Sequence, residues 1–262
     1  MIKSTDQMNR TIRLEVIPRR IVSLVPSQTE LLYDLGLEDE VVGITKFCIH
    51  PDVWFQQKQR VGGTKNVQIE KVRTLQPDLI IGNKEENTQA DIEQLEEIAP
   101  VWMSDIDTLE QSIEMILEIG KITNRALESE HLVQSIQSNF KLLKQHITKE
   151  WTCLYFMWKD PYFTVGKHTF IDAMIQECGG TNLQTQSRYP EWDFSLPISP
   201  DVILLSSEPY PFNESHLPFF QEKYPDSKVM LVDGEYFSWY GSRLEKAPVY
   251  FSEILKEILK GK

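Results

Sequence analysis

The sequence lacks what a membrane-spanning helix requires, since no apolar run approaches the roughly 20 residues needed to cross a bilayer. Positive charge is also short. Lys and Arg number 27 against 39 Asp and Glu, a formal net charge of −12, and no basic cluster offsets it. Such a chain has no electrostatic footprint for nucleic acid or for an anionic membrane. Cysteine is scarce. Cys48, Cys153 and Cys178 are widely spaced, odd in number and form no Cys-x-x-Cys pair. They dictate no disulfide framework and read as free thiols. The polar first 13 residues contain neither an apolar core nor a small-residue cleavage site, so as written they are not a secretory signal.

Enzyme signatures are missing as well. No Gly-x-Gly-x-x-Gly follows the first strand-like run. Gly166-Lys167-His168-Thr169 is similar to the end of a phosphate-binding loop, but Pro161 stands where the first glycine belongs. There is no Gly-x-Ser-x-Gly and no His-Glu-x-x-His. The histidines His50, His131, His146, His168 and His216 lack metal-ligand spacing. The expectation is a protein without catalytic residues, resident metal or intrinsic cofactor. A bare-ion receptor, drawing on His50, His168 and Asp233, stays open as an alternative.

The 262 residues suffice for one large domain or for two lobes of roughly 100 to 130 each. Short β-branched runs alternate with helical patterns, as in 21–25, 27–35, 41–44, 69–75, 79–81, 87–98 and 101–103. Ser27, with Glu30 three residues on, reads as a helix capping box. This alternation argues for a mostly parallel sheet covered by helices. The pattern resumes after residue 150, with strands at 152–157, 202–205 and 229–232 and helices at 170–178, 214–223 and 249–259. Residues 45–66 read as a long loop with one turn of helix, and 234–243 as a loop. Leu75-Gln76-Pro77-Asp78-Leu79-Ile80-Ile81 is echoed by Ile198-Ser199-Pro200-Asp201-Val202-Ile203-Leu204.

Between these halves lies a helical stretch from Ser104 to Glu150, rich in N-cap residues at its start. Gly120 interrupts it. Leu132, Ile136, Phe140, Leu143 and Ile147 then fall on one stripe, and 125–147 holds no Pro or Gly. The stretch reads either as a rigid strut between lobes or as an ordinary long surface helix. The division expected is an N-terminal α/β lobe over 1–104, a linking helix region over 105–150 and a C-terminal α/β lobe over 151–262. Four of the tryptophans, Trp54, Trp158, Trp192 and Trp239, fall in predicted loops. Loops at strand C-terminal ends form the binding crevice of open α/β sheets, and flat apolar rings there suit a large, partly apolar ligand.

Several motifs together carry a resemblance. They are Arg20-Ile21-Val22-Ser23-Leu24-Val25-Pro26-Ser27-Gln28-Thr29-Glu30, Pro77-Asp78-Leu79-Ile80-Ile81, the 161–167 stretch, Cys178-Gly179-Gly180-Thr181-Asn182 and Pro200-Asp201-Val202-Ile203-Leu204. In order and spacing they resemble the helical-backbone periplasmic binding proteins of ABC importers for cobalamin, ferric siderophores and haem, most closely the cobalamin-binding type. The resemblance implies an α/β fold of two lobes with mostly parallel sheets joined by one long central helix. It implies a large metal chelate between the lobes, cobalamin first and a ferric siderophore or haem second. By position it assigns Phe47, Gly63, Thr64, Lys84, Trp158, Tyr162, Trp192, Trp239 and Arg243 to the ligand.

The resemblance further implies an ABC permease as partner, docked through a glutamate on each lobe. Glu70 fits the first. The stretch from Trp192 to Ile198 offers no second, and Glu191 is the nearest. The protein is expected to be a monomer with no nucleic-acid partner and no transmembrane segment. The resemblance places it in the periplasm, while the missing export signal leaves the cytoplasm open. An intracellular enzyme or chaperone that handles a metal chelate is the alternative from another functional class.

Overall fold

The computed structural model describes residues 1–260, which form two compact units. The first comprises Met1–Ile106, Glu110–Ser135 and Tyr240–Arg243. Its strands are β1 (Ile2–Thr5), β2 (Thr11–Leu14), β3 (Ile21–Ser23), β4 (Val41–Ile44), β5 (Gln59–Arg60), β6 (Gly62–Gly63), β7 (Asn66–Val67), β8 (Leu79–Asn83) and β9 (Val101–Ser104). Its helices are α1 (Pro26–Asp34), α2 (Asp52–Gln57), α3 (Ile69–Leu75), α4 (Gln89–Glu96) and α5 (Leu109–Ile122). A parallel sheet runs in the order β5-β4-β3-β8-β9. Ile21, Val22, Leu79, Ile80 and Ile81 are fully buried in it. Continuous apolar runs of this kind are what a sheet covered on both faces selects.

The start of α1 differs from the capping box expected at Ser27. Val25 is the N-cap and makes no side-chain cap bond, while Pro26 takes the first helical turn. Proline suits that position because its missing N–H would have no partner there anyway. Ser27 is thereby buried inside the helix, and Glu30 pairs with Arg243 instead. The polar N-terminus also folds, as the hairpin β1–β2. The Asp6 carboxylate at its turn accepts the N–H groups of Met8, Arg10 and Met103. Gln7 N–H donates to Met103 O at 3.1 Å. The turn thus meets backbone groups of the edge strand β9 that would otherwise invite another chain.

The second unit comprises Asp107–Leu109, Ile136–Trp239 and the chain from Leu244 on. It contains β10 (Trp151–Trp158), β11 (Phe163–Thr164), β12 (Gly180–Asn182), β13 (Val202–Ser206) and β14 (Lys228–Val232). Helix α6 (Ala126–His146) has its residues 126–135 in the first unit and the rest in the second. It is followed by α7 (Phe170–Glu177), α8 (Leu217–Lys223), α9 (Gly234–Ser238) and α10 (Ala247–Leu259). Strands β12, β10, β13 and β14 lie side by side in parallel, with β11 antiparallel on β10. The stretch 234–243, expected as loop, carries α9 and a 3₁₀ turn. The stretch 45–66 contains the expected short helix as α2, and also β5 and β6.

Both units share one strand order. The first strand (β3 or β10) has the second (β4 or β12) on one side and the third and fourth (β8 and β9, or β13 and β14) on the other. The repeated Pro-Asp motif precedes the third strand each time, and its aspartate does the same work twice. Asp78 accepts the backbone N–H groups of Arg19 and Arg20, just before β3, at 2.8 and 2.9 Å. Asp201 accepts the N–H of Thr152, in β10, at 2.7 Å. Each carboxylate pins the start of the third strand to that of the first.

Helix α6 is the unbroken run expected after residue 125. Of its expected stripe, Ile136, Phe140 and Leu143 are buried, while Leu132 is half-buried and Ile147 lies half-buried past the end of the helix. Gly120, however, does not interrupt the preceding helix. It lies within α5, where an added Cβ would sit 2.1 Å from the Ser129 hydroxyl oxygen. The break falls at Asn124, whose φ of +59° is the left-handed conformation that asparagine tolerates better than most residues.

Candidate functional site

In open α/β sheets ligands gather beyond the strand C-terminal ends, where the strand order switches direction. In the first unit that point lies between β3 and β8. After β8 the Asn83 side chain organises the turn: its Oδ1 accepts from the N–H groups of Glu85 and Glu86, and its Nδ2 donates to Ser104 Oγ. Asn83 N–H donates to Asn87 Oδ1, and Asn87 Nδ2 donates to Thr64 O at 2.8 Å. Phe47 packs on Gly63, with Lys46 Nζ 4.9 Å from its ring centre, and is 51% exposed. Phe47, Gly63 and Thr64 are therefore brought together, with Lys84 on the turn that holds Thr64. Lys84 itself is paired with Asp105 at 2.5 Å.

Arg243 also belongs to this unit. Its Nε and Nη2 take both oxygens of Glu30, at 2.9 and 2.8 Å, and both side chains are largely buried. A bidentate pair of this geometry is among the stronger protein hydrogen-bond arrangements. It ties the returning segment 240–243 onto α1. Glu70, at the start of α3, projects into solvent.

In the second unit the switch point lies between β10 and β13. Trp158 closes β10 and is 41% exposed, its ring edge-on to Tyr210. Tyr162 is half-buried and stacked on Phe219 at 5.3 Å. Trp192 lies beside Tyr162, its backbone N–H donating to Tyr162 O at 2.8 Å, but its ring faces inward. It is buried in the core cluster with Phe156, Phe212 and Phe220, and its indole N–H donates to the Tyr224 hydroxyl at 2.7 Å. Trp239 is buried too, and its side chain hydrogen-bonds to the Glu208 carboxylate. The two exposed or half-exposed rings, Trp158 and Tyr162, thus differ from the two packed ones.

Two carboxylates escaped the sequence reading. Glu86 follows the third strand of the first unit, and Glu208 follows the third strand of the second. Both are only partly exposed. Burial pushes the Glu86 carboxyl above the ordinary glutamate range, and Glu85 adds to this against Lys65. Burial likewise pushes Glu208 up, opposed by the Ser238 hydroxyl and Trp239 and reinforced by Glu235 and Asp233. The available signal was the repeat itself, because an acidic residue follows both echoing strands within a few positions. Among the described residues no group of three or more His, Cys, Asp or Glu is placed to hold a metal ion. Cys48, Cys153 and Cys178 are buried and unbridged, and burial raises all three thiols.

The sequence model of the periplasmic binding protein family matches residues 21–223. An uncharacterised ABC transporter substrate-binding lipoprotein of Bacillus subtilis, YvrC, is 34% identical over 183 residues, or 65% of this chain. The match spans 57% of that relative's own length. A vitamin B12-binding protein of Yersinia pestis is 25% identical over 194 residues, covering 71% of this chain and 69% of its own. The periplasmic vitamin B12-binding protein BtuF of Vibrio cholerae superposes with a TM-score of 0.78 at 22% identity, covering 93% of this chain and 99% of its own. No helix among the described residues is long and apolar enough to cross a membrane.

Proposed function

The chain belongs to the periplasmic binding protein family, a family of binding proteins and not of enzymes, and from that premise we propose that it is the substrate-binding component of an ABC importer for a large metal chelate. Cobalamin or a related corrinoid is the first ligand, and haem or a ferric siderophore the second. The observation that carries the choice is the match to a vitamin B12-binding protein over 71% of the chain.

The ligand-facing set we propose is Phe47, Gly63, Thr64 and Lys84 in the first unit and Trp158 and Tyr162 in the second. Exposed rings offer stacking surface, and Thr64 and Lys84 offer polar anchors. Trp192, Trp239 and Arg243 support these elements from within, since each already has a partner in the fold. Glu70 is the proposed permease contact, being exposed and engaged only loosely by Arg73 at 3.5 Å.

A tryptophan-fluorescence titration with cyanocobalamin, hemin and a ferric siderophore tests the reading. Saturable quenching by one of the three is the expected outcome. Flat traces for all three, with no heat of binding at high micromolar concentration, would reject it.

A further inference from the structure

Glu208 is held more firmly than a surface carboxylate needs to be. The Ser238 hydroxyl donates to its Oε1 at 2.6 Å, and Trp239 donates as well. The Ser206 hydroxyl donates to its backbone carbonyl at 2.6 Å. The stem lies against Gly234, where an added Cβ would come within 2.6 Å of Glu208 Cγ and 2.3 Å of Ser206 Oγ. Only a residue without a side chain leaves room for the carboxylate in this position. The charged groups around it are unfavourable to an anion: Asp233 and Glu235 on α9 both oppose its ionisation. Tyr155, from β10, donates to Ser206, and the Tyr250 hydroxyl, from α10, accepts the Asp233 N–H at 2.7 Å. No Lys or Arg is paired with it among the described ion pairs.

A half-buried carboxylate without a cationic partner lowers stability. Its position is the end of β13, at the switch point of the strand order, where an α/β sheet receives ligands. Glu86 occupies the corresponding place after β8 in the first unit. A half-buried carboxylate therefore follows the third strand of both units, with Lys65 favouring the ionised form of Glu86 alone.

We propose, on the basis of the substrate-binding reading above, that Glu208 is a specificity-determining residue that admits ligands presenting N–H donors and rejects ligands presenting carboxylates. A donor takes the lone pairs that Ser238 and Trp239 leave, whereas a second carboxylate there meets like charge in a poorly solvated place. Among the ligand classes considered, this favours a chelate fringed with neutral carboxamides over the dicarboxylate haem.

The test compares wild type with Glu208→Gln and Glu208→Asp, using cyanocobalamin and hemin as probes. Glu208→Gln keeps an acceptor for Ser238 but removes the charge. It should raise hemin affinity relative to cyanocobalamin by about tenfold or more, and Glu208→Asp should keep the wild-type preference. An unchanged ratio in Glu208→Gln would overturn the proposal.

Thermal unfolding without ligand supplies an independent readout. A glutamate whose folded value lies above its unfolded one stabilises the fold below the unfolded value, and this is lost as pH rises through the folded value. The ordinary value is 4.5. Glu208→Gln should therefore melt higher than wild type at about pH 8, with the gap closing below about pH 4. A lower melting point at the higher pH would make Glu208 a structural acceptor and also overturn the proposal. If wild type bound none of cyanocobalamin, hemin and a ferric siderophore, the substrate-binding reading would fail, and the melting comparison would still report whether Glu208 is only a structural acceptor.

Discussion

Trp158 and Trp192 are both indoles in the second unit, yet their surroundings give them different work. Trp158 keeps 41% of its surface in solvent, while Trp192 is 5% exposed and donates to Tyr224. Trp192→Phe should remove one neutral hydrogen bond and cost about 1 kcal/mol, read from urea unfolding, with ligand-induced quenching retained. Trp158→Phe should leave stability within about 0.5 kcal/mol and remove much of the quenching. The reverse pattern would place the ligand-facing ring in the wrong part of the unit. In the sequence these two residues look alike, since both fall in predicted loops among other aromatics. What separates them is the cluster around Phe156 and Phe220, assembled from segments distant in the chain. Phe47, Gly63 and Thr64 were named together by the resemblance, and the fold sets them side by side. Glu86 and Glu208 were not, because their burial and the donors on Glu208 arise only when the strands are side by side.

At the scale of elements, the joint between α5 and α6 makes a sharp test. Gly120 and Ser129 meet so closely that Gly120→Ala should overpack the joint and cost about 1 to 3 kcal/mol. In α6, Ile136→Ala removes a side chain with no exposed surface and should cost about 2 to 5 kcal/mol. Denaturant unfolding with unchanged m-value checks both, and near-neutral results would mean that this joint and stripe are not packed as described. Strands β3, β4, β8 and β13 and helices α3, α6 and α10 were readable from periodicity. The departures have specific causes. Pro26 supplied the helix start that Ser27 was expected to give. Asn124 supplied the break expected at Gly120, because a glycine can serve close packing as well as a turn. Of the β1–β2 hairpin, the alternation of 11–16 reads as an edge strand, whereas β1 was hidden by its polar composition and is held by Asp6 and Gln7 on the edge of β9.

For the molecule as a whole, the shared strand order makes the two units comparable position by position. Asp78 and Asp201 fill the same role, so Asp78→Ala and Asp201→Ala should each destabilise by about 0.5 to 1.5 kcal/mol through the lost hydrogen bonds to backbone N–H groups. Calorimetric unfolding in which one substitution has no effect would break the equivalence. The central claim, that this binding protein takes up a metal chelate, is tested most directly by isothermal titration with cyanocobalamin, followed by hemin and a ferric siderophore under the same conditions. The account predicts one-to-one binding with a dissociation constant of about 1 μM or tighter, near or beyond −8 kcal/mol, with cyanocobalamin ahead of hemin. Absence of heat for all three compounds at high micromolar concentration would contradict it.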